Sequence, residues 1–251
     1  RSFAISDLKD AIKSSRIDRT VLVQTVTDYS ETPELLAIAQ SEHLVGAVVG
    51  WLQIDAPDAI ARLHQYLDLP GAEYLKGIRD IAQDHPDPNY LAKPQTIANV
   101  KKLGELGITF DLLTKTPELA AAIKLVSACP DVQFVMDHIS KPYIAKKEIE
   151  PWKTLMTELA TFPNVLCKVS GLVTEANWNE WQVKDFKPYV DHVIDIFTPQ
   201  RLMFGSDWPV ANLGGPYSQI VELAEALTSG LSPSEAEFFW HKSAAAAYRL
   251  A

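Results

Sequence analysis

Two apolar runs in this chain end abruptly in ionisable side chains. Gln133 to His138 reads QFVMDH, and Leu202 to Asp207 reads LMFGSD with Trp208 and Pro209 directly after it. In a parallel barrel each strand is covered on both faces and reads as nearly continuous apolar sequence, while its C-terminal tip opens onto the mouth where ligands bind. An imidazole at one tip and a carboxylate at another are therefore candidate site residues.

The rest of the chain has the rhythm such a barrel needs. Apolar runs occur at Val21 to Thr25, Val45 to Ile54, Leu75 to Asp80, Ile108 to Leu113, Val132 to His138, Val165 to Gly171 and Leu202 to Asp207. Helical patterns separate them at Glu31 to Glu42, Ala56 to Leu67, Gln95 to Leu106, Pro117 to Ala128, Glu148 to Thr161 and Phe186 to Phe197, and a last one runs from Pro233, behind the cap candidate Ser232, to Tyr248. Strand and helix alternating at about 30 residues predict βα units and an α/β fold of the (β/α)8 TIM-barrel type. Seven strands are one short of eight. Because Ser6 to Arg16 reads as a helix capped by Ser6 and leads into the first run, the first strand is expected upstream of Arg1.

Composition narrows the class. No linker, repeat or low-complexity stretch divides the 251 residues, so residues 1–251 are read as a single barrel domain. A formal charge of -9 argues against nucleic-acid and anionic-membrane partners. The longest apolar run, Leu44 to Leu52, is far short of the ~20 residues that span a bilayer. With no secretory pattern at Arg1, and with Cys129 and Cys167 embedded in or beside apolar runs, a cytoplasmic enzyme with a small-molecule ligand is expected. Nothing in the composition sets an oligomeric state.

Polar residues gather at the predicted tips: Gln24, Gln53, Asp55, Arg79, Asp80, Asp111, His138, Lys168, Ser170 and Asp207. Lys168 and Ser170 share one strand parity and Cys167 and Val169 the other, which places the polar pair inside the barrel and the apolar pair against helices. Each candidate has a plain structural alternative. His138 is a catalytic imidazole or a core histidine bonded to backbone, and Asp207 a general base or a helix N-cap. Arg79, Lys141 and Lys168 are cations able to meet a carboxylate or hydroxyls, yet Arg79 is equally suited to an ion pair with Asp80 or Asp111. Trp208 offers an aromatic face on which a ligand ring is able to stack; Trp51 offers one too but reads rather as core. His43, His64, His192 and His241 read as surface or structural, while His85 lies in QDHPDPNY, where Asp84 to Tyr90 is the candidate lid. GxSxG, HExxH, CxxC and phosphate-loop patterns are absent.

Several segments together carry a family resemblance: VLVQT, VGAVVGWLQI, LKGIR at Leu75 to Arg79, DHISKP at Asp137 to Pro142, CKVSGL at Cys167 to Leu172 and RLMFGSDWPV at Arg201 to Val210. Collinear over essentially the whole chain, they resemble the sugar-acid lactonases of the amidohydrolase superfamily, the L-fuconolactonase and L-rhamnonolactonase group, with pyrone-dicarboxylate lactonases as cousins. The resemblance implies a distorted (β/α)8 barrel that opens a lactone by attack of an activated water. It casts Asp207 as proton acceptor, His138 as metal ligand or carbonyl polariser, and both as ligands of a divalent metal, zinc; for the substrate so implied, Arg79, Lys141, Lys168 and Trp208 are the tip residues whose chemistry suits binding it. The His-x-His pair that such relatives carry on the first strand occurs nowhere here, so it is expected upstream of Arg1 unless the site works without metal. Asp80, Ser140 and Ser243 replace the usual histidine, glycine and asparagine. The alternatives are a catalytically silent ligand-binding barrel or incomplete site, and, within the enzymes, a decarboxylase or dicarboxylate-lactone hydrolase of the same superfamily.

Overall fold

The computed structural model describes residues 3–250. Seven strands, β1 (Thr20–Val23), β2 (Val45–Trp51), β3 (Leu75–Ile81), β4 (Thr109–Leu113), β5 (Phe134–Met136), β6 (Val165–Val169) and β7 (Leu202–Phe204), form one parallel sheet in chain order. Each lies within one of the seven apolar runs or overlaps it by all but a residue. The helices are α1 (Ile5–Ile12), α2 (Glu31–Ser41), α3 (Ala59–Leu67), α4 (Pro94–Glu105), α5 (Leu119–Ala128), α6 (Trp152–Ala160), α7 (Val183–Phe197), α8 (Tyr217–Leu227), α9 (Pro233–Glu237) and α10 (Ser243–Tyr248). No described helix is long and apolar enough to cross a membrane.

Strand parity sorts the side chains into two environments. Leu22, Val48, Ile78, Phe110, Phe134, Cys167 and Leu202 join the large core between sheet and helices. Ala47, Val49, Val135, Leu166 and Met203 point inward and form a separate apolar cluster with Val21, Val23, Ala247 and Tyr248. Nearer the C-terminal tips the inward layer turns polar, with Arg79, Asp111, Asp137, Lys168 and Ser170 all buried. The parity expected for Lys168 and Ser170 against Cys167 and Val169 is the one observed.

The end of the chain seals the bottom of the sheet. A π-helical turn at Phe238–Lys242 links α9 to α10, and Ser232 caps the segment through reciprocal bonds with Glu235. Ala247 O accepts from Thr109 Oγ1 at 2.7 Å and Lys76 O from Arg249 at 3.0 Å, both at the N-terminal ends of their strands. From there the Tyr248 side chain runs up inside the barrel, and its hydroxyl donates to Asp111 Oδ2 at 2.6 Å.

Three helical expectations change. The N-terminal helix is not capped by Ser6: Asp7 reaches back to the Ala4 N–H at 2.8 Å, starting α1 at Ile5, and the helix ends at Ile12, well before Arg16. The third starts at Ala59 because Ala56 and Ala59 close successive turns on Gln53 and Ala56. A helix unassigned from the sequence, α8, buries Tyr217, Ile220, Leu223, Ala224 and Leu227, a spacing with the helical period.

Tyr248→Phe keeps the ring but strips the buried Asp111 carboxylate of a donor. A loss of about 1–3 kcal/mol is expected, read as a lower urea midpoint at pH 7. An unchanged midpoint would show that the hydroxyl adds nothing.

Candidate active site

The site is built on a buried ion cluster. Asp137, the first residue after β5, is fully buried; its Oδ2 accepts from Arg79 at 2.7 Å, its Oδ1 from Lys168, and Lys168 Nζ also stands 3.3 Å from Asp111 Oδ2. Arg79 further donates to the Gln24 carbonyl. Burial alone would raise the Asp137 carboxyl, but Lys168 and then Arg79 overcome it and hold it far below the usual carboxylate range. Asp111, which shares Lys168 with Asp137, goes the other way: burial pushes it up to about 6, and the neighbouring Asp137 charge adds to that. Burial works to lower Lys168, yet the two aspartates keep it above its ordinary value.

Directly after Asp137 the backbone makes a left-handed turn. His138, Ile139, Ser140 and Lys141 have φ of 54°, 46°, 57° and 43°. Left-handed helical conformation costs about 1–2 kcal/mol per L-residue, and a β-branched residue such as Ile139 is an unusual occupant. The turn persists because its surroundings over-determine it. Trp152 Nε1 donates to Ile139 O at 2.7 Å, Thr114 and Ser140 hydroxyls meet at 2.8 Å, and Lys141 N–H returns to His138 O at 2.8 Å. Gly171 (φ 62°) lies against the imidazole so closely that an added Cβ would come within 2.8 Å of the ring. That approach is the physical meaning of the glycine in CKVSGL.

The result is a His138 ring held across the mouth. Its Nδ1 bonds Ser170 Oγ at 2.7 Å, and its Nε2 stands 3.6 Å from Asp207 Oδ1. Asp207 also has positive φ (55°), and its Oδ2 is buried without a hydrogen-bond partner among the described residues. Both structural alternatives fail on these contacts. The imidazole bonds the Ser170 side chain and not backbone, and in the turn that follows Asp207 it is the backbone carbonyl, not the carboxylate, that takes the Ala211 N–H, at 2.8 Å. Burial lowers the His138 pKa below its ordinary value, against the opposing pull of Asp207, so the ring is neutral at pH 7.

This pair fits a shared divalent ion. Two ligands on one tetrahedral zinc, with bonds near 2.0–2.1 Å, lie about 3.3 Å apart, close to the 3.6 Å seen. The Nδ1 tie to Ser170 is also the outer-shell contact that orients metal-binding histidines. Two donors are fewer than the three protein ligands of a catalytic zinc site. Among the described residues no group of three His, Cys, Asp or Glu is placed to hold a metal.

The remaining candidates divide by position. Arg79 and Lys168 have their charged heads on Asp137, beneath the mouth. Arg79 thus forms a buried ion pair, but with neither Asp80 nor Asp111, the partners weighed from sequence. Asp80 instead accepts from Trp51 Nε1, Ile54 N, Ile81 N and the Tyr90 hydroxyl at 2.8, 2.8, 2.9 and 2.5 Å, which locks Trp51 against Tyr29 and anchors the end of the 84–90 segment. His85 stacks on Tyr90 with centroids 4.2 Å apart. Trp208 packs beside Leu8, Ile12 and Tyr217, edge-on to Phe3. Lys141 remains at the mouth, its Nζ 3.8 Å from Glu175 Oε1. Glu175 was not singled out from the sequence; its only signal there is its place in the loop after β6.

A sequence model described as amidohydrolase matches residues 3–250. The chain belongs to the amidohydrolase family. It is 36% identical over 217 residues to an L-fucono-1,5-lactonase of Burkholderia ambifaria, covering 86% of this chain and 73% of that one. An L-fucono-1,5-lactonase of Burkholderia multivorans is 31% identical over 261 residues, covering 100% and 87%. The crystal structure of an amidohydrolase from Burkholderia multivorans with bound zinc superposes with a TM-score of 0.94 at 30% identity, covering 100% of this chain and 90% of the other. The barrel fold expected from the strand rhythm is the fold of that relative.

The neutral ring yields a pH prediction for the metal-free protein. Since the unfolded chain protonates near pH 6.5 and folded His138 only below that, its contribution is intact above 6.5 and is lost progressively as pH falls from there toward the lower folded value. Asp111, raised in the folded state, contributes with the opposite sign between its unfolded value near 4 and about 6. The His138 part is isolated by comparison: between pH 7.5 and 6, wild type should lose more unfolding free energy than His138→Gln. Equal losses would refute a depressed histidine.

Proposed function

We propose that this amidohydrolase opens the lactone ring of a sugar acid by water attack. The observation that carries the reading is Asp207 Oδ2, a buried carboxylate oxygen with no hydrogen-bond partner among the described residues, beside a neutral imidazole. A carboxylate in that state accepts a proton from water as the water attacks the ring carbonyl. The same proton then passes to the ring oxygen as the tetrahedral intermediate collapses, so lactone and water become a hydroxy acid and Asp207 is regenerated. The lactonase names of the two Burkholderia relatives support the substrate class.

His138 acts on the carbonyl side. With Ser170 donating to Nδ1, the Nε2–H is free to hydrogen-bond the developing oxyanion; with Nδ1–H donating to Ser170, Nε2 offers a lone pair to a metal. A divalent metal, zinc by likeness to the Burkholderia multivorans structure, would be held by His138 and Asp207 and would acidify the water. Lys141 meets the substrate at the mouth. Arg79 and Lys168 act from below by holding Asp137, the residue from which the His138 turn departs, and Trp208 follows Asp207 and packs its ring beside Leu8, Ile12 and Tyr217. The buried free thiols Cys129 and Cys167 suit a reducing cytoplasm.

A barrel that binds a sugar acid without turnover is the rival, favoured by the two-donor set. Asp207→Asn separates the two readings. Wild type should hydrolyse L-fucono-1,5-lactone or a related aldonolactone, and the variant should fold normally yet lose about 10²–10⁴-fold or more in kcat. Retained turnover in Asp207→Asn would remove Asp207 as the base.

A further inference from the structure

Four successive strand-to-helix loops each send a charged side chain to one side of the mouth: Asp84 after β3, Lys115 after β4, Lys141 after β5 and Glu175 after β6. Lys115 is closed on Asp84, Nζ to Oδ2 at 2.7 Å. Lys141 and Glu175 are not closed on each other. Their 3.8 Å separation is beyond a hydrogen bond, although their side chains are only 13% and 17% exposed. Among the described residues Glu175 also takes a 3.4 Å contact from the adjacent Thr174 hydroxyl, and Lys115 adds to the positive field that Lys141 sets on it. A partly sheltered ammonium and a partly sheltered carboxylate thus face each other across a gap that one bridging polar atom spans.

Both partners are fastened to the elements that hold His138. Lys141 closes the left-handed turn on the His138 carbonyl. The Glu175 loop starts at Gly171, which packs on the imidazole, and is tied to it by Thr174 Oγ1 donating to Gly171 O at 2.7 Å. Lys141 also bears electrostatically on the His138 ring, so a small molecule at the His138 and Asp207 pair has the Lys141 and Glu175 gap beside it. The bridging atom must accept from an ammonium and donate to a carboxylate. A hydroxyl oxygen does both; a carboxylate, an ether or a methylene does not.

We infer that Lys141 and Glu175 form a hydroxyl clamp, which makes Glu175 a specificity-determining residue for polyhydroxylated ligands. The inference deepens the lactone reading by assigning the recognition of the sugar hydroxyls, and its test does not require turnover. Isothermal titration of gluconate, galactonate and L-fuconate, with hexanoate as the unhydroxylated control, is carried out on wild type, Glu175→Gln and Lys141→Met. The expected result is that wild type binds at least one aldonate, that each variant binds it at least about tenfold more weakly, about 1.4 kcal/mol, and that no variant changes its response to hexanoate. A role confined to tying loops together would weaken hexanoate and aldonate alike.

The inference is overturned if wild type binds none of the aldonates, if both variants bind them as wild type does, or if hexanoate loses as much as the aldonate. Should Glu175→Gln not fold, Lys141→Met carries the same comparison. Lactone hydrolysis by wild type is assayed separately. Clamp-dependent binding without ring opening would sink the lactone reading and leave the clamp standing.

Discussion

The site depends on one interaction, the Asp137 carboxylate held between the Arg79 guanidinium and the Lys168 ammonium. Charges removed from water are costly unless paired and hydrogen-bonded, and removing one partner from such a pair leaves an uncompensated buried ion worth about 3–5 kcal/mol. Here the pairing joins β3 to the end of β5 and to β6. Through Asp111 and Tyr248 it also reaches β4 and the C-terminal helix. The cluster therefore does mechanical work as well as electrostatic work. It fixes the residue from which the left-handed turn departs, and so fixes where the His138 ring lies.

Both members of the candidate catalytic pair sit in left-handed backbone just beyond a strand end, His138 two residues past β5 at φ 54° and Asp207 three past β7 at φ 55°. An extended strand alternates its side chains between inside and outside, whereas a left-handed residue at its tip breaks the alternation and turns the side chain across the mouth. Such strain survives only where packing enforces it. Trp152, Thr114 and Gly171 supply that enforcement around His138. Ser140 at φ 57° bears the strain that a glycine would avoid, and its hydroxyl bond to Thr114 offsets part of it.

The charges at the mouth are paired, not gathered with one sign. A protein of charge -9 repels an anion at long range. Arg79 and Lys168 meet Asp137, with Asp111 beside Lys168, and Lys141 faces Glu175. Attraction for an anionic group there is therefore short-ranged, made by the orientation of individual pairs at low effective dielectric and not by a net positive field.

Much of the architecture was legible in the order of residues. Continuous apolar runs mark strands covered on both faces, and the polar residues that end them mark the mouth, which is why His138, Asp207, Arg79 and Lys168 could be picked out without coordinates. Period alone also encoded α8, whose buried Tyr217, Ile220, Leu223, Ala224 and Leu227 lie three and four apart. Partnership was not legible. Arg79 could not be matched to Asp137 over Asp80 or Asp111, because the pairs join residues 58 positions apart and are set by strand register. The left-handed turn at His138 to Lys141 was hidden as well, since its cost is met by Trp152 at the start of α6 and by Thr114 and Gly171 from other loops. Local periodicity and strand parity, properties of near neighbours, thus determined the fold class and the face each candidate occupies. Only the tertiary structure decided which charges meet and which carboxylate stays unpaired, because those contacts are long-range and are selected by packing.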